Sequence, residues 1–511
     1  MRSRTPTHVA ALVAAVTIFA SPAAYALDPE ITSDTAAQFY DVRSPTGETV
    51  LARRRLTTTL GVSAYDLIPH DKTSHDASEL SFRARMRYDA DYGANGGEAD
   101  AGNSNSLVPG FSRGPVDLMY GYLEGRKFAG GWLGFKLGRQ YMVDSLGWWS
   151  FDGGEVKVTT PYYFSAEVYG GLEVRGGMPL SSPRFERDGI WRGDRTGYDP
   201  SLYPSFQPSD VAPAMGVALE SSGVTWLHGR LSYRRVYNTG NSNVSEFASG
   251  LIRPVNYDGT RISQERIGYS FDATLPPSMP QVAGLKGGIS YDFYNAKVAN
   301  IYASLDGYAS QKLTVSLDYD YYAPTYDADS IWNFFAGEPT NDIGVRADYN
   351  LSDTVALAGG GHVRILEADT AAFTNTGSPN ITIASNPNYY PSNGSAFDEG
   401  FNAAIRHRSG QNVEAVRASG NFGKDGDRVG GDISLEHVLY ARYIAEGRTG
   451  LWHWNDKLRP DRDALGFQVV AGIGYKLAQR SRVLFEYEVD ANRLVGLRNR
   501  AMVWLNVAVT K

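Results

Sequence analysis

Hydrophobic and polar residues alternate with a period of two along much of this chain. From Leu80 to Tyr92, the residues Leu80, Phe82, Ala84, Met86, Tyr88, Ala90 and Tyr92 share one parity, and Ser81, Arg83, Arg85, Arg87, Asp89 and Asp91 share the other. A helix would scatter these residues around its surface, whereas a strand separates them onto two faces. The pattern returns at Leu313–Tyr322, Leu465–Leu477, Val483–Asp490 and Ala501–Thr510. Strands in soluble proteins usually run about 5–6 residues. A tilted strand that crosses a membrane needs about 9–11, and all of these runs but Val483–Asp490 reach or exceed that length. The segments between them divide into short turns (Ala309-Ser310, Asn350 to Asp353, Gly423 to Asp427, Ala478 to Ser481) and long polar stretches. The long stretches are Gly93 to Gly114, Gly176 to Pro213, Thr239 to Thr260, Ala323 to Thr340, Glu367 to Gly410 and Ile444 to Asp463. Alternating short and long connections predict an all-β fold, a single closed antiparallel transmembrane β-barrel. The expected count is about 18 strands, within 16 to 20, with the candidates near Ala37–Arg43 and Ala214–Glu220 the weakest. The stretch Ser395 to Arg408 reads as a short helix within a loop.

The first residues supply an address. Arg2 and Arg4 precede an apolar run from Val9 to Ala20, followed by Ser21-Pro22 and Ala24-Tyr25-Ala26. This is the layout of a secretory signal peptide cleaved after Ala26. The apolar run is too short to span the ~30 Å hydrocarbon core as a helix. The expected organisation is therefore a leader over 1–26 and a barrel over 27–511, in the outer membrane of a Gram-negative bacterium. Composition narrows the picture. The chain has 511 residues, no Cys, 55 Gly, 32 Tyr and a formal net charge of −7, and losing the leader with its two Arg makes that charge more negative. Disulfides and Cys-based metal sites are excluded, and nucleic acid is not an expected partner of an acidic chain.

Energy decides which face meets lipid. A Lys or Arg at the bilayer midplane of a barrel costs about 2–4 kcal/mol, so Arg83, Arg85 and Arg87 are expected to face the lumen. The same argument places Lys136, Arg230, Arg234, Arg266, Lys286, Arg346 and Arg364 there. It also places Glu167, Asp272, Asp292, Asp306, Asp318, Asp320, Asp348, Glu486, Glu488 and Asp490 there. Tyr88, Tyr92, Tyr291, Tyr321 and Tyr487 are expected in the interfacial girdles. An interior lined with ionised groups needs water. The Arg83/Arg85/Arg87 row reads either as a cationic stripe that draws acidic solutes such as uronic-acid sugars, or as arginines that pair with acids on neighbouring strands and brace the wall.

Searching for chemistry yields little. G-x-S-x-G, GxxxxGK[ST], HExxH and GxGxxG are all missing, so no enzyme activity and no cofactor are expected. His70 and His75 beside Asp71 and Asp76 read as a solvated turn before a metal site. Asp425 to Asp432 reads as a tight turn, because Val429 stands where a calcium loop needs an oxygen ligand. Trp148, Trp149, Trp332, Phe334, Phe335, Trp452 and Trp454 read as loop aromatics that either stack on sugars or pack over the pore mouth.

The segment Trp132-Leu-Gly-Phe-Lys-Leu-Gly-Arg-Gln-Tyr141, followed by Asp144, Trp148-Trp149 and Asp152-Gly153-Gly154 and then by Tyr163–Val174, resembles the "GRQ" strand region of alginate-export-type outer-membrane porins. The resemblance implies an 18-stranded barrel that passes or exports carbohydrate, with Arg139 and Gln140 lining the pore near its constriction. It also implies a place as the barrel of a polysaccharide secretion system beside a polysaccharide-export lipoprotein. The leading expectation is a channel exporting an exopolysaccharide, one with acidic sugars. The alternatives are a diffusion porin taking up oligosaccharides or small anions, and a non-conducting structural or adhesive barrel.

Overall fold

The computed structural model describes residues 28–68, 77–91, 116–174, 212–239, 242–245, 254–257, 260–274, 282–325, 339–366, 396–423, 426–456, 461 and 463–510. The first strands are β1 (Asp28–Arg43), β2 (Thr49–Tyr65), β3 (Glu79–Asp91), β4 (Val116–Phe128), β5 (Leu133–Asp144), β6 (Gly147–Thr159), β7 (Phe164–Glu173), β8 (Pro213–Ser221) and β9 (Leu227–Asn238). After the small hairpin of β10 (Ser242–Ser245) and β11 (Pro254–Tyr257) come β12 (Arg261–Ala273), β13 (Val282–Asp292), β14 (Lys297–Ser310), β15 (Leu313–Tyr322), β16 (Thr340–Asn350) and β17 (Val355–Leu366). The remainder are β18 (Ala396–Ser409), β19 (Asn412–Gly423), β20 (Gly426–Leu439), β21 (Tyr443–Asp456), β22 (Ala464–Ala478), β23 (Ser481–Asn492) and β24 (Gly496–Thr510). In the main sheet successive strands pair antiparallel, β9 pairs directly with β12, and β24 pairs with β1. The result is one closed sheet of 22 strands. Closure leaves no unpaired edge, which the hydrocarbon region would not tolerate.

The expectation of about 18 strands is corrected to 22. Ser395–Arg408 is not a loop helix but most of β18, and β21 occupies much of the supposed loop Ile444–Asp463. The outward row of β18 (Phe397, Glu399, Phe401, Ala403, Ile405, His407) is interrupted by charge, and that of β21 contains Ala445, Gly447 and Thr449. Such rows lack the continuous apolar parity that marks a lipid-facing strand from sequence. Both weak candidates are strands, within β1 and as β8. The leader, His70, His75, Tyr92, Trp332, Phe334 and Phe335 lie outside the described residues.

Outward faces carry the apolar residues of each zigzag. Ile433 and Ile473 are 55% and 69% exposed, which is stable only against lipid. Connections at one rim are short, among them 160–163, 311–312, 410–411 and 479–480, and the described chain ends lie there too. The other rim bears the long connections 92–115, 174–212, 239–260, 323–339 and 367–395. In outer-membrane barrels these are the periplasmic and extracellular rims.

Candidate functional site

The register assigns a face to every charged residue on the wall. Arg83, Arg85 and Arg87 stand opposite Ser63, Gly61 and Thr59 of β2, and Thr59 stands opposite Asp34 of β1. All lie on the face away from the exposed row of Phe82 and Met86. Arg53 and Arg55 of β2 share that inner face, so β2 and β3 form a basic wall. Its arginines are partnered: Arg85 with Asp34 and, at 2.7 Å, with Thr59 Oγ1, and Arg83 with Glu124 of β4 at 3.8 Å. The Arg83 guanidinium also lies 5.3 Å from the Tyr65 ring centre. These arginines pair and brace, yet cations outnumber acids along this wall.

Half a circumference away, β15 and β16 turn Asp318, Asp320 and Asp342 inward, with Asp320 directly opposite Asp342. Asp342 is held by Arg364 of β17 at 2.9 Å, and Arg346 pairs with Asp348 at 3.3 Å. Like charges directly opposite on a sheet repel, so this wall is an acidic surface held open to water. A third sector, β23 and β24, presents Glu486, Glu488 and Asp490 beside Arg498 and Arg500. Glu488 accepts from Arg498 at 2.7 Å and also from Arg500, and Gln468 donates to it at 3.2 Å. Sequence reasoning passed over Arg53, Arg55, Arg498 and Arg500, although each sits on the polar parity of its strand.

The largest departure from a plain cylinder is at β5 and β6. β5 pairs with β4 only as far as Arg139 opposite Gly121, while its pairing with β6 continues to Asp144 opposite Gly147. Beyond that split the hairpin folds into the barrel. Its turn, Ser145-Leu146, reaches the inner faces of β9 and β12, well round the wall past β7 and β8. Arg234 of β9 donates to the Leu146 carbonyl at 3.1 Å, and a Cβ placed on Gly268 of β12 would lie 2.6 Å from Ser145 Oγ. Met142, Trp149 and Phe151 pack there against Tyr169, Ala214 and Val236, with Phe151 and Val236 fully buried. Trp149 stacks on Phe151 at 4.4 Å, donates from Nε1 to Glu173 at 2.9 Å, and lies under the Arg234 guanidinium at 5.0 Å. Trp149 is therefore no loop aromatic. It belongs to an apolar core built inside the lumen.

Glycine makes the bend. Gly138, Gly153 and Gly171 stand side by side on β5, β6 and β7. Gly138 has φ +127°, where a side chain would clash with the Gly121 carbonyl, and a Cβ on Gly153 would lie 2.7 Å from the Gly171 Cα. Only glycine permits that approach and that conformation. The glycines of the "GRQ" and "DGG" segments thus serve a fold.

Two residues of these segments part company. Gln140 points inward and is buried, its amide donating to the Gly153 carbonyl at 3.3 Å. Arg139, its neighbour, shares instead the face of Leu137 and Val143, so the two do not line the pore together. Arg139 grips Asp152 through both carboxylate oxygens, at 2.7 and 2.8 Å, and donates to the Leu118 carbonyl at 2.9 Å. It satisfies a β4 carbonyl at the level where β5 departs, and so seals the seam.

Under the hairpin lies a polar chamber of about 600 Å³. Lys136 pairs there with Glu155 at 3.1 Å, and Arg230 with Glu167 at 2.7 Å. Glu220 accepts from Lys157 at 2.6 Å, His228 at 2.8 Å and Arg230 at 3.3 Å. Tyr141 and Val143 of the hairpin help line it. On β20, Asp432 faces Arg417 across the sheet at 3.7 Å, a wall pair. No cluster of metal-ligating side chains occurs among the described residues.

No family model matches the sequence, and no curated protein matches it; the resemblance to alginate-export-type porins gains no support there. Solved structures show similarity over most of the chain's length. OccAB4 of Acinetobacter baumannii is 8% identical, covering 95% of this chain and 98% of that one, with a TM-score of 0.42. OccAB3 of the same organism is 11% identical over 94% and 99%, with a TM-score of 0.41. The outer membrane protein OpdK of Pseudomonas aeruginosa is 8% identical over 95% and 99%, with a TM-score of 0.38. At these values no residue role or substrate is carried across. The closed wall, its lipid-facing apolar belt and its charged interior are features of this chain itself: it is a β-barrel of the Gram-negative outer membrane.

Proposed function

We propose that the protein is a passive diffusion channel through which small hydrophilic solutes, short oligosaccharides and small anions, enter across the outer membrane. The observation that carries this reading is the infolded β5–β6 hairpin. It takes cross-section out of the lumen and is fixed in place by a buried core and by Arg234. A conduit for a continuous polymer gains nothing from such an element, whereas a solute filter gains a size limit. The export expectation therefore gives way to its alternative. The split between the basic wall of β2–β3 and the acidic wall of β15–β16 adds a transverse field that orients charged or dipolar solutes in transit. Lipid and the solute are the only partners this reading requires, and catalysis has no part in it.

Purified protein in planar bilayers and in liposomes tests the proposal. Discrete ion-conducting steps are expected, with liposome swelling rates that fall steeply as neutral sugars lengthen. A bilayer that stays silent would favour a filled structural barrel. Loss of surface polysaccharide on deletion, with small-solute uptake unchanged, would restore the export reading.

A further inference from the structure

Trp452 and Trp454 lie on the inner row of β21, on the extracellular half of the wall, opposite Gly466 and Ala464 of β22 and Gly430 and Arg428 of β20. They are strand residues facing the lumen. Glycine surrounds them: a Cβ on Gly430 or Gly450 would run into the Trp452 ring, and one on Gly466 would lie 3.1 Å from that of Trp454. Both indoles therefore lie down along the wall over a glycine floor, leaving their other faces to the lumen. Around them is a recess of about 660 Å³, whose polar fringe is Arg428, Gln468, Asp490, Asn492 and Arg498. Arg498 is tied to Asp490 and Glu488. Arg428 is exposed, and among the described residues it has no ion-pair partner.

We infer that this recess is a binding subsite for an acidic sugar, a hexuronate unit of a short oligosaccharide. Flat aromatic faces with adjacent hydrogen-bonding groups match the two-sided chemistry of a pyranose, whose C–H face is apolar and whose rim is hydroxylated. The uncommitted guanidinium of Arg428 supplies the charge-assisted pair that a ring carboxylate needs. Gln468, Asn492 and the Asp490 carboxylate are placed to meet hydroxyls. The inference rests on the channel reading and deepens it by naming a solute class.

The test uses full-length protein in planar bilayers, with trigalacturonate or maltotriose added on the long-loop side. Trigalacturonate is expected to interrupt the wild-type ion current at lower concentration than maltotriose. Trp452→Ala and Trp454→Ala should each weaken that block about fivefold, the loss of one aromatic contact. Trp454→Phe should restore part of it. Arg428→Gln should weaken trigalacturonate block and leave maltotriose block as it was. Block that is equal in wild type and both alanine variants overturns the subsite while leaving the channel standing. A wild-type protein that carries no current overturns the channel and the subsite with it.

Discussion

Two arcs of this barrel share the same alternation and differ in what they turn inward. Along β20 to β24, the open arc, every strand stays paired with both neighbours, and the lumenal row mixes Arg, Glu, Gln and Trp with the buried Ile444, Val470, Leu484 and Met502. Along the extracellular half of β7 to β9 the corresponding row includes Tyr169, Ala214 and Val236, which are buried. An apolar patch cannot be left against water at no cost, and here the hairpin of β5 and β6 covers it with Met142, Trp149 and Phe151. The difference teaches that the bore is filled where wall pairing breaks: β5 leaves β4 after Arg139, and the freed hairpin lies over the inner row. Here a piece of the wall itself takes up part of the lumen.

The comparison is broken most severely at the bend. Gly153→Val or Gly171→Val forces a branched side chain into the facing backbone. The expected result is failure to form a folded, heat-modifiable barrel, judged by gel mobility before and after boiling. The same substitution at Gly472 in the open arc meets only the flexible Glu446 side chain, so it should do much less. Next in size is Phe151→Ala, which empties a fully buried site in the hairpin core at a cost of about 3–5 kcal/mol. Its signature should be a noisier current with larger open steps and a lower thermal midpoint. Arg234→Met keeps the volume but drops the bond to the Leu146 carbonyl. It should raise current noise by a smaller amount without changing assembly. Smallest are the charge changes. Replacing Arg83, Arg85 and Arg87 by Ser should shift reversal potentials toward cation preference, and Asp318→Asn with Asp320→Asn should shift them the other way. Both shifts should shrink as salt rises from 0.1 M toward 1 M, where the screening length drops from about 10 to 3 Å. Unchanged reversal potentials in both variants would remove the two-wall picture.

Much of this was readable from residue order, and the unread part has a physical reason. Period-two alternation placed β3, β15, β22, β23 and β24, and the lipid penalty put Arg83, Arg85 and Arg87 on a face that the register supports. Strands such as β21 stayed hidden because a lipid-facing row of Ala, Gly and Thr carries a weak signal. The infolded hairpin was out of reach. It depends on Leu146 meeting Arg234, residues 88 apart in sequence, and no local pattern reports that contact. Its trace was nevertheless present in Gly138, Gly153 and Gly171, and in Trp149, whose burial a loop assignment could not anticipate. Arg139 shows the same limit. Its parity was visible, but its purpose appears only where β5 leaves β4 and the Leu118 carbonyl needs a donor.

The account turns on the hairpin tip lying against β9 and β12, and the absence of native cysteine allows a direct measurement. Ser145→Cys with Gly268→Cys places two thiols where the Ser145 Cβ and a Cβ at position 268 are 3.2 Å apart, close to disulfide reach. The account predicts spontaneous cross-linking in the folded barrel, seen as a reductant-sensitive mobility shift, together with single-channel steps as narrow as those of the wild type. Two thiols that stay reduced and label independently with maleimide in folded protein would contradict it.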